Sequence, residues 1–200
     1  MPPMPTIKRP MVLRAKAKSV SGQIILITGG IRSGKSRYAL EYASTLAGQR
    51  AFVATAEPLD EEMRRRIDNH KRERGPDFVT IEEPLYLAET LARLQNDFDV
   101  VLVDCLSLWL NNLFYHWETN PDRQEKEIDH LMETVSAKKK TFLFVTNETG
   151  WGTVPDNALT RRYVDELGAL NQRLGRLADE IIWMVCGIPQ KVKGALHAEP

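Results

Sequence analysis

The segment Gly29-Gly30-Ile31-Arg32-Ser33-Gly34-Lys35-Ser36 constrains this chain more than any other. It fits G-x-x-x-x-G-K-[ST], a loop that wraps phosphate. Ile24-Ile25-Leu26-Ile27 before it reads as a buried strand, and Lys35–Ala47 after its last glycine reads as a helix. Strand, glycine loop and helix N-terminus together aim backbone N–H groups and the positive end of a helix dipole at one point. In such a loop Lys35 reaches the β- and γ-phosphates, and the Ser36 hydroxyl binds Mg²⁺. Gly29 to Ser36 are therefore candidate nucleotide contacts.

The rest of the chain supports that setting. Apolar runs recur at Ile24–Thr28, Ala51–Ala54, Phe78–Ile81, Val100–Asp104, Thr141–Thr146 and Ile181–Val185. Helix-like stretches fall between most of them, at Lys35–Ala47, Asp60–Arg72, Leu85–Gln95, Gln124–Lys138 and Leu159–Ala178. Strands alternating with helices predict an α/β fold: a mostly parallel sheet with helices on both faces. No repeat or linker interrupts residues 23–188, so residues 23–200 read as one domain. Net charge is zero, yet residues 1–22 hold Lys8, Arg9, Arg14, Lys16 and Lys18 and no acid. With four prolines as well, they read as a disordered basic extension. A neutral chain without a basic stripe argues against nucleic acid as a partner. The two cysteines, Cys105 and Cys186, have no metal-type spacing and read as buried, reduced thiols. With no membrane-length apolar run and no secretory leader, the expected location is the cytoplasm.

Further candidates lie at strand ends, where ligands gather in such sheets. Asp104 closes Val100-Val101-Leu102-Val103 and suits an acid that holds Mg²⁺ opposite Ser36; its bland alternative is a helix cap. Ala54-Thr55-Ala56 follows the second strand and offers backbone contacts to a nucleotide. Glu82 and Glu83 follow the third, where an acid can bind a ribose or a base edge. Thr146-Asn147-Glu148 and the glycines beside Trp151 follow the fifth. His70 shares a helical face with Met63 and Ile67, which alone suggests a packed core residue. Arg66, Lys71, Arg72 and Arg74 around it could bind phosphates and would favour the neutral, nucleophilic imidazole.

Taken together, Thr28 to Arg37, Ala54-Thr55-Ala56, Asp60-Glu61-Glu62-Met63 with Arg66-Ile67-x-x-His70, Val103 to Leu113, Val145 to Gly150 and Gly187 to Lys193 resemble one family. It is the bifunctional adenosylcobinamide kinase / adenosylcobinamide-phosphate guanylyltransferase of cobalamin biosynthesis. The resemblance implies a P-loop, RecA-type fold and two reactions. ATP or GTP phosphorylates adenosylcobinamide, and GTP then donates GMP to that phosphate. It also implies a GMP–histidine intermediate at His70, with Lys35 as the second catalytic residue. Nucleotide contacts transfer to the loop, Ala54, Thr55, Ala56, Lys71, Arg72, Glu73, Arg74, Glu82 and Asp104, with Ser36 and Asp104 on Mg²⁺. Trimers that share the active-site region between subunits are implied as well. From the residues alone, a small-molecule kinase without nucleotidyl transfer and a nucleotide-dependent regulatory ATPase remain open.

Overall fold

The computed structural model describes residues 22–58, 60–73, 76–152 and 154–194; for residues 66, 69, 70 and 73 it describes the backbone alone. The expected basic extension lies outside the described residues. Seven strands form one sheet: β1 (Ile24–Gly29), β2 (Arg50–Ala54), β3 (Val79–Glu82), β4 (Val100–Asp104), β5 (Thr141–Val145), β6 (Glu180–Val185) and β7 (Ile188–Lys193). Their order is β3-β2-β4-β5-β1-β6-β7. All neighbours pair in parallel except β6 and β7, which are antiparallel.

The central strands are buried on both faces, which explains their unbroken apolar runs. Successive side chains alternate between two cores. Ile24, Leu26, Val101, Val103, Phe142 and Phe144 face one. Ile25, Ile27, Val100, Leu102, Leu143 and Val145 face the other. The first core is covered by α3 (Leu87–Leu94), α4 (Leu106–His116), α5 (Pro121–Ser136) and α6 (Ala158–Leu177). The second is covered by α1 (Lys35–Thr45), through Ala39, Leu40 and Ala43. Helix α2 (Glu61–Glu73) contributes no described side chain to either core.

The helix starts show why the chain divides as it does. Asn120 accepts a hydrogen bond from the Arg123 N–H ahead of Pro121, and Asn157 accepts one from Thr160. Asp60 accepts one from the Met63 N–H at 2.7 Å and opens α2. Helix α1 differs: Gly34 precedes it in a left-handed conformation (φ +93°), with no side-chain cap and no acid in the first turn. Its free N–H groups and positive end are left for a ligand.

Two elements go beyond the sequence reading. In α4 seven of eleven residues are buried, including Trp109, Leu110, Leu113 and Phe114, so polar residues are too few to mark a 3.6-residue period. Strand β7 contains Pro189 and is mostly exposed, which hides it as a strand. It returns along β6 through the two-residue turn Cys186-Gly187, both at positive φ (50° and 83°). Cys186 is thus exposed rather than buried, because the hairpin turn carries it out of the apolar strand. Trp109 is fully buried, whereas Trp151 lies exposed against Trp183, ring centroids 5.3 Å apart.

Loops at the carboxyl edge are held by buried amides. Asn112 of α4 is 2 % exposed and donates to the carbonyls of Thr55 (2.7 Å) and Pro84 (3.1 Å), tying together the segments after β2 and β3. Replacing Asn112 by Ala leaves both carbonyls short of a donor. The unfolding free energy of the variant should fall by about 2 kcal/mol in chemical denaturation.

Candidate active site

The phosphate loop leaves β1 at Gly29 and enters α1 at Lys35. A Cβ on Gly29 (φ +147°) would lie 2.5 Å from the Met184 carbonyl oxygen, so strand β6 admits only glycine there. Gly34 has the left-handed backbone that turns the chain into the helix. The Lys35 ammonium is folded back onto the loop. It donates to the carbonyls of Gly29 (3.1 Å) and Gly30 (2.6 Å), and Ser33 Oγ is 3.5 Å away. These oxygens occupy the partner role that phosphate oxygens take in a charged loop. Burial pushes the Lys35 ammonium below its usual pKa, while Cys105 and Asp104 nearby hold it up.

Ser36 Oγ donates to Asp104 Oδ1 at 3.1 Å. This contact joins the start of α1 to the end of β4, two strands apart in the sheet. Asp104 is therefore turned to the phosphate loop and not used as the cap of α4, whose N-cap residue, Cys105, makes no side-chain cap bond. A hydroxyl and a carboxylate are hard oxygen donors of the kind Mg²⁺ takes, with phosphate and water completing its shell. Among the described residues there is no group of three or more His, Cys, Asp or Glu able to hold a metal alone.

These residues open into a cavity of about 720 Å³. One wall is the phosphate loop with Lys35, Ser36 and Arg37. The opposite wall is α2, through Met63, Arg64, Ile67, Asp68 and Lys71, and the floor includes Ala54, Ala56, Asp104 and Asn147. The face of α2 that carries Met63 and Ile67 is a cavity face, not a core face. Among the described residues, five cations (Arg32, Lys35, Arg37, Arg64, Lys71) and three acids (Asp68, Glu82, Asp104) line the space. A net positive cleft of this size suits a nucleoside polyphosphate.

The predicted residues divide. The loop from Ile31 to Ser36, Ala54, Ala56, Lys71, Glu82 and Asp104 meet at the cavity. Lys71 and Glu82 pair with each other at its rim, 2.7 Å apart. Thr55 is fully buried, with its hydroxyl donating to the Cys105 carbonyl (2.8 Å) and accepting from the Cys105 N–H (2.9 Å). It braces the end of β4 from behind and does not line the cavity. Arg72 is exposed on α2, its guanidinium near the Asp68 carbonyl, and does not line the cavity either. Glu83 accepts from the Leu85 and Tyr86 N–H groups just ahead of α3 and from the Thr90 hydroxyl at 3.2 Å, and does not line the cavity. The side chains of His70 and Glu73, and all of Arg74, lie outside the described residues.

Sequence reasoning missed Arg37, Arg64 and Asp68. Arg64 and Asp68 share a helical face with Lys71 (i, i+4, i+7), and that spacing was the available signal. Asn147 was singled out only as a polar strand end. It donates to Ser107 Oγ at 2.8 Å, and Asn171 of α6 holds its carbonyl at 3.0 Å. Cys105 also borders the cavity; burial, then Asp104, pushes its thiol up to about 11.

A phosphate loop on β1, an acid on β4 and one strand between them define a P-loop nucleotide enzyme of RecA-like order. Solved structures agree on the fold. A type III secretion ATPase superposes with TM-score 0.55 at 10% identity, over 82% of this chain and 51% of that one. The flagellar accessory protein FlaH of Methanocaldococcus jannaschii does so with TM-score 0.50 at 15% identity, over 88% and 80%. The sequence then narrows the class: residues 25–192 match the cobinamide kinase / cobinamide phosphate guanyltransferase family, and the chain belongs to it. It is 41% identical over 169 residues to the bifunctional adenosylcobalamin biosynthesis protein CobP of Pseudomonas aeruginosa, covering 84% of this chain and 96% of that protein. It is 36% identical over 181 residues to the CobU protein of Salmonella typhimurium, covering 85% and 99%.

Two outcomes follow from this geometry. Asp104→Asn should raise the Mg²⁺ concentration needed for half-maximal nucleotide-dependent turnover by about tenfold or more, read by Mg²⁺ titration at saturating nucleotide. At pH 8 a maleimide should modify Cys186 and spare Cys105, since little Cys105 thiolate exists well below about 11. Peptide mass mapping separates the two sites.

Proposed function

We propose that the chain phosphorylates the aminopropanol hydroxyl of adenosylcobinamide with ATP or GTP, then converts the product to adenosylcobinamide-GDP with GTP. Family membership supports both reactions. The observation that carries the assignment of both to one site is the cavity itself, with the phosphate loop on one wall and α2 on the other.

In the first step the acceptor hydroxyl oxygen attacks the γ-phosphorus, the bond to the β,γ-bridging oxygen breaks, and the nucleoside diphosphate leaves. Lys35 moves from the Gly29 and Gly30 carbonyls to the phosphate oxygens, and the loop N–H groups hold the charge that develops. Mg²⁺, held by Ser36 and Asp104, would neutralise charge on the β- and γ-oxygens when bound. In the second reaction the His70 imidazole attacks the α-phosphorus of GTP and pyrophosphate leaves onto the phosphate loop. An oxygen of the cobinamide phosphate then attacks the phosphoramidate and frees the imidazole. Splitting one transfer between two anions into two in-line steps lets the cations around the cavity serve both. Arg64 and Lys71 are placed for the nucleotide, with Glu82 at the rim for its sugar or base. The same reading places the protein in the cytoplasm as a homotrimer, without a nucleic-acid partner.

Intact-protein mass after incubation with GTP and Mg²⁺, without acceptor, tests the histidine. Wild type should gain the mass of one GMP, acid-labile and base-stable, and His70→Ala should gain none. No adduct on wild type that binds GTP would reduce the protein to a simple kinase.

A further inference from the structure

A second cavity, of about 280 Å³, lies on the other side of the phosphate loop. Gly30 and Ser33 line it, together with Glu148, Trp151, Trp183 and Cys186. The Lys35 ammonium lies next to its wall, since it bonds the Gly30 carbonyl and approaches Ser33 Oγ. The group that reaches the β- and γ-phosphates thus stands between the two cavities. A phosphoryl group held there is within reach of a molecule seated in the second.

The chemistry of the second cavity differs from that of the first. No lysine, arginine or histidine lines it among the described residues, and Glu148 is its one carboxylate. It is therefore unsuited to a polyphosphate. Glu148 is held in place, accepting from Thr28 Oγ1 at 2.9 Å while its backbone N–H donates to the Gly29 carbonyl. Trp151 is 74% exposed and tilted against Trp183. The apolar strip continues along the hairpin through Val185 and Ile188, both exposed. An exposed aromatic shelf of this kind marks a binding surface for a broad, weakly polar molecule.

We infer that this shelf seats the corrin ring of the cobinamide acceptor, with the aminopropanol arm directed past Glu148 towards Gly30 and Lys35. The inference rests on the kinase reading above. The corrin macrocycle is wide, with large apolar faces, and its cobalt(III) alkyl form carries a positive charge that Glu148 complements. It is larger than the cavity, so it lies on the shelf and its far edge stays in solvent. The acceptor hydroxyl then reaches the phosphoryl group from the Gly30 side, where in-line transfer needs it to stand opposite the leaving oxygen across the phosphorus.

Two measurements test this. Maleimide labelling of Cys186 needs no turnover. Saturating cobinamide should slow it severalfold, and GTP with Mg²⁺ should leave it unchanged. Protection by GTP alone would make the shelf a nucleobase site. Slow labelling of the free protein that speeds up on dilution would make it a contact between copies of the chain. Either result overturns the inference. In kinase assays, Trp151→Ala should raise KM for cobinamide about tenfold and leave KM for the nucleotide within about twofold. Trp151 is exposed, so the variant keeps the core intact. An unchanged cobinamide KM in an active variant overturns the shelf and spares the kinase assignment. A wild-type protein that binds nucleotide but neither binds nor phosphorylates cobinamide overturns both.

Discussion

Parallel pairing of β4 with β5 and of β5 with β1 places Gly29 and Asp104 at one edge of the sheet, separated by a single strand. The rest of the site depends on that spacing. It brings Ser36 to Asp104 and sets the phosphate loop opposite the segment after β2. It also leaves the end of β5, with Asn147 and Glu148, directly between the loop and the acid. Burial of the central strands on both faces makes the spacing rigid. Slipping a strand by one residue would turn every core side chain to the wrong face.

On that frame the polar groups are arranged by what would otherwise be left unsatisfied. The first turn of α1 has no cap, and a buried ammonium occupies the loop beside it. The Lys35 ammonium rests on the Gly29 and Gly30 carbonyl oxygens, neutral partners that compete poorly with phosphate. Thr55, Asn112, Asn171 and Tyr163 do not line the cavity. They brace the segments that do, as when the Thr55 hydroxyl accepts from the Cys105 N–H at 2.9 Å and Asn171 donates to the Asn147 carbonyl at 3.0 Å. The site thus has a reactive rim and a neutral polar scaffold beneath it.

The sequence made the six parallel strands legible because each is a short apolar run bounded by polar residues. The phosphate loop and Asp104 were legible because their chemistry depends on local spacing and on a strand end. The roles of Thr55 and Glu83 were not, since a hydroxyl or carboxylate beside a strand looks the same whether it faces a ligand or a backbone N–H. Helix α4 and strand β7 were hidden for opposite reasons, one too uniformly apolar and the other exposed and interrupted by proline. In the second cavity only the polar strand end at 146–148 and the glycines beside Trp151 were legible; their convergence with residues 30–33 and 183–186 is a matter of tertiary packing.

Helix α2 is attached differently from its neighbours. Its described apolar side chains, Met63 and Ile67, face the cavity, and the Lys71–Glu82 pair that ties it to β3 is solvent-exposed. Such a pair contributes only about 0.5 kcal/mol. Parting that pair therefore costs little, and since no described side chain of α2 enters either core, the helix can shift its position over the cavity without disturbing them.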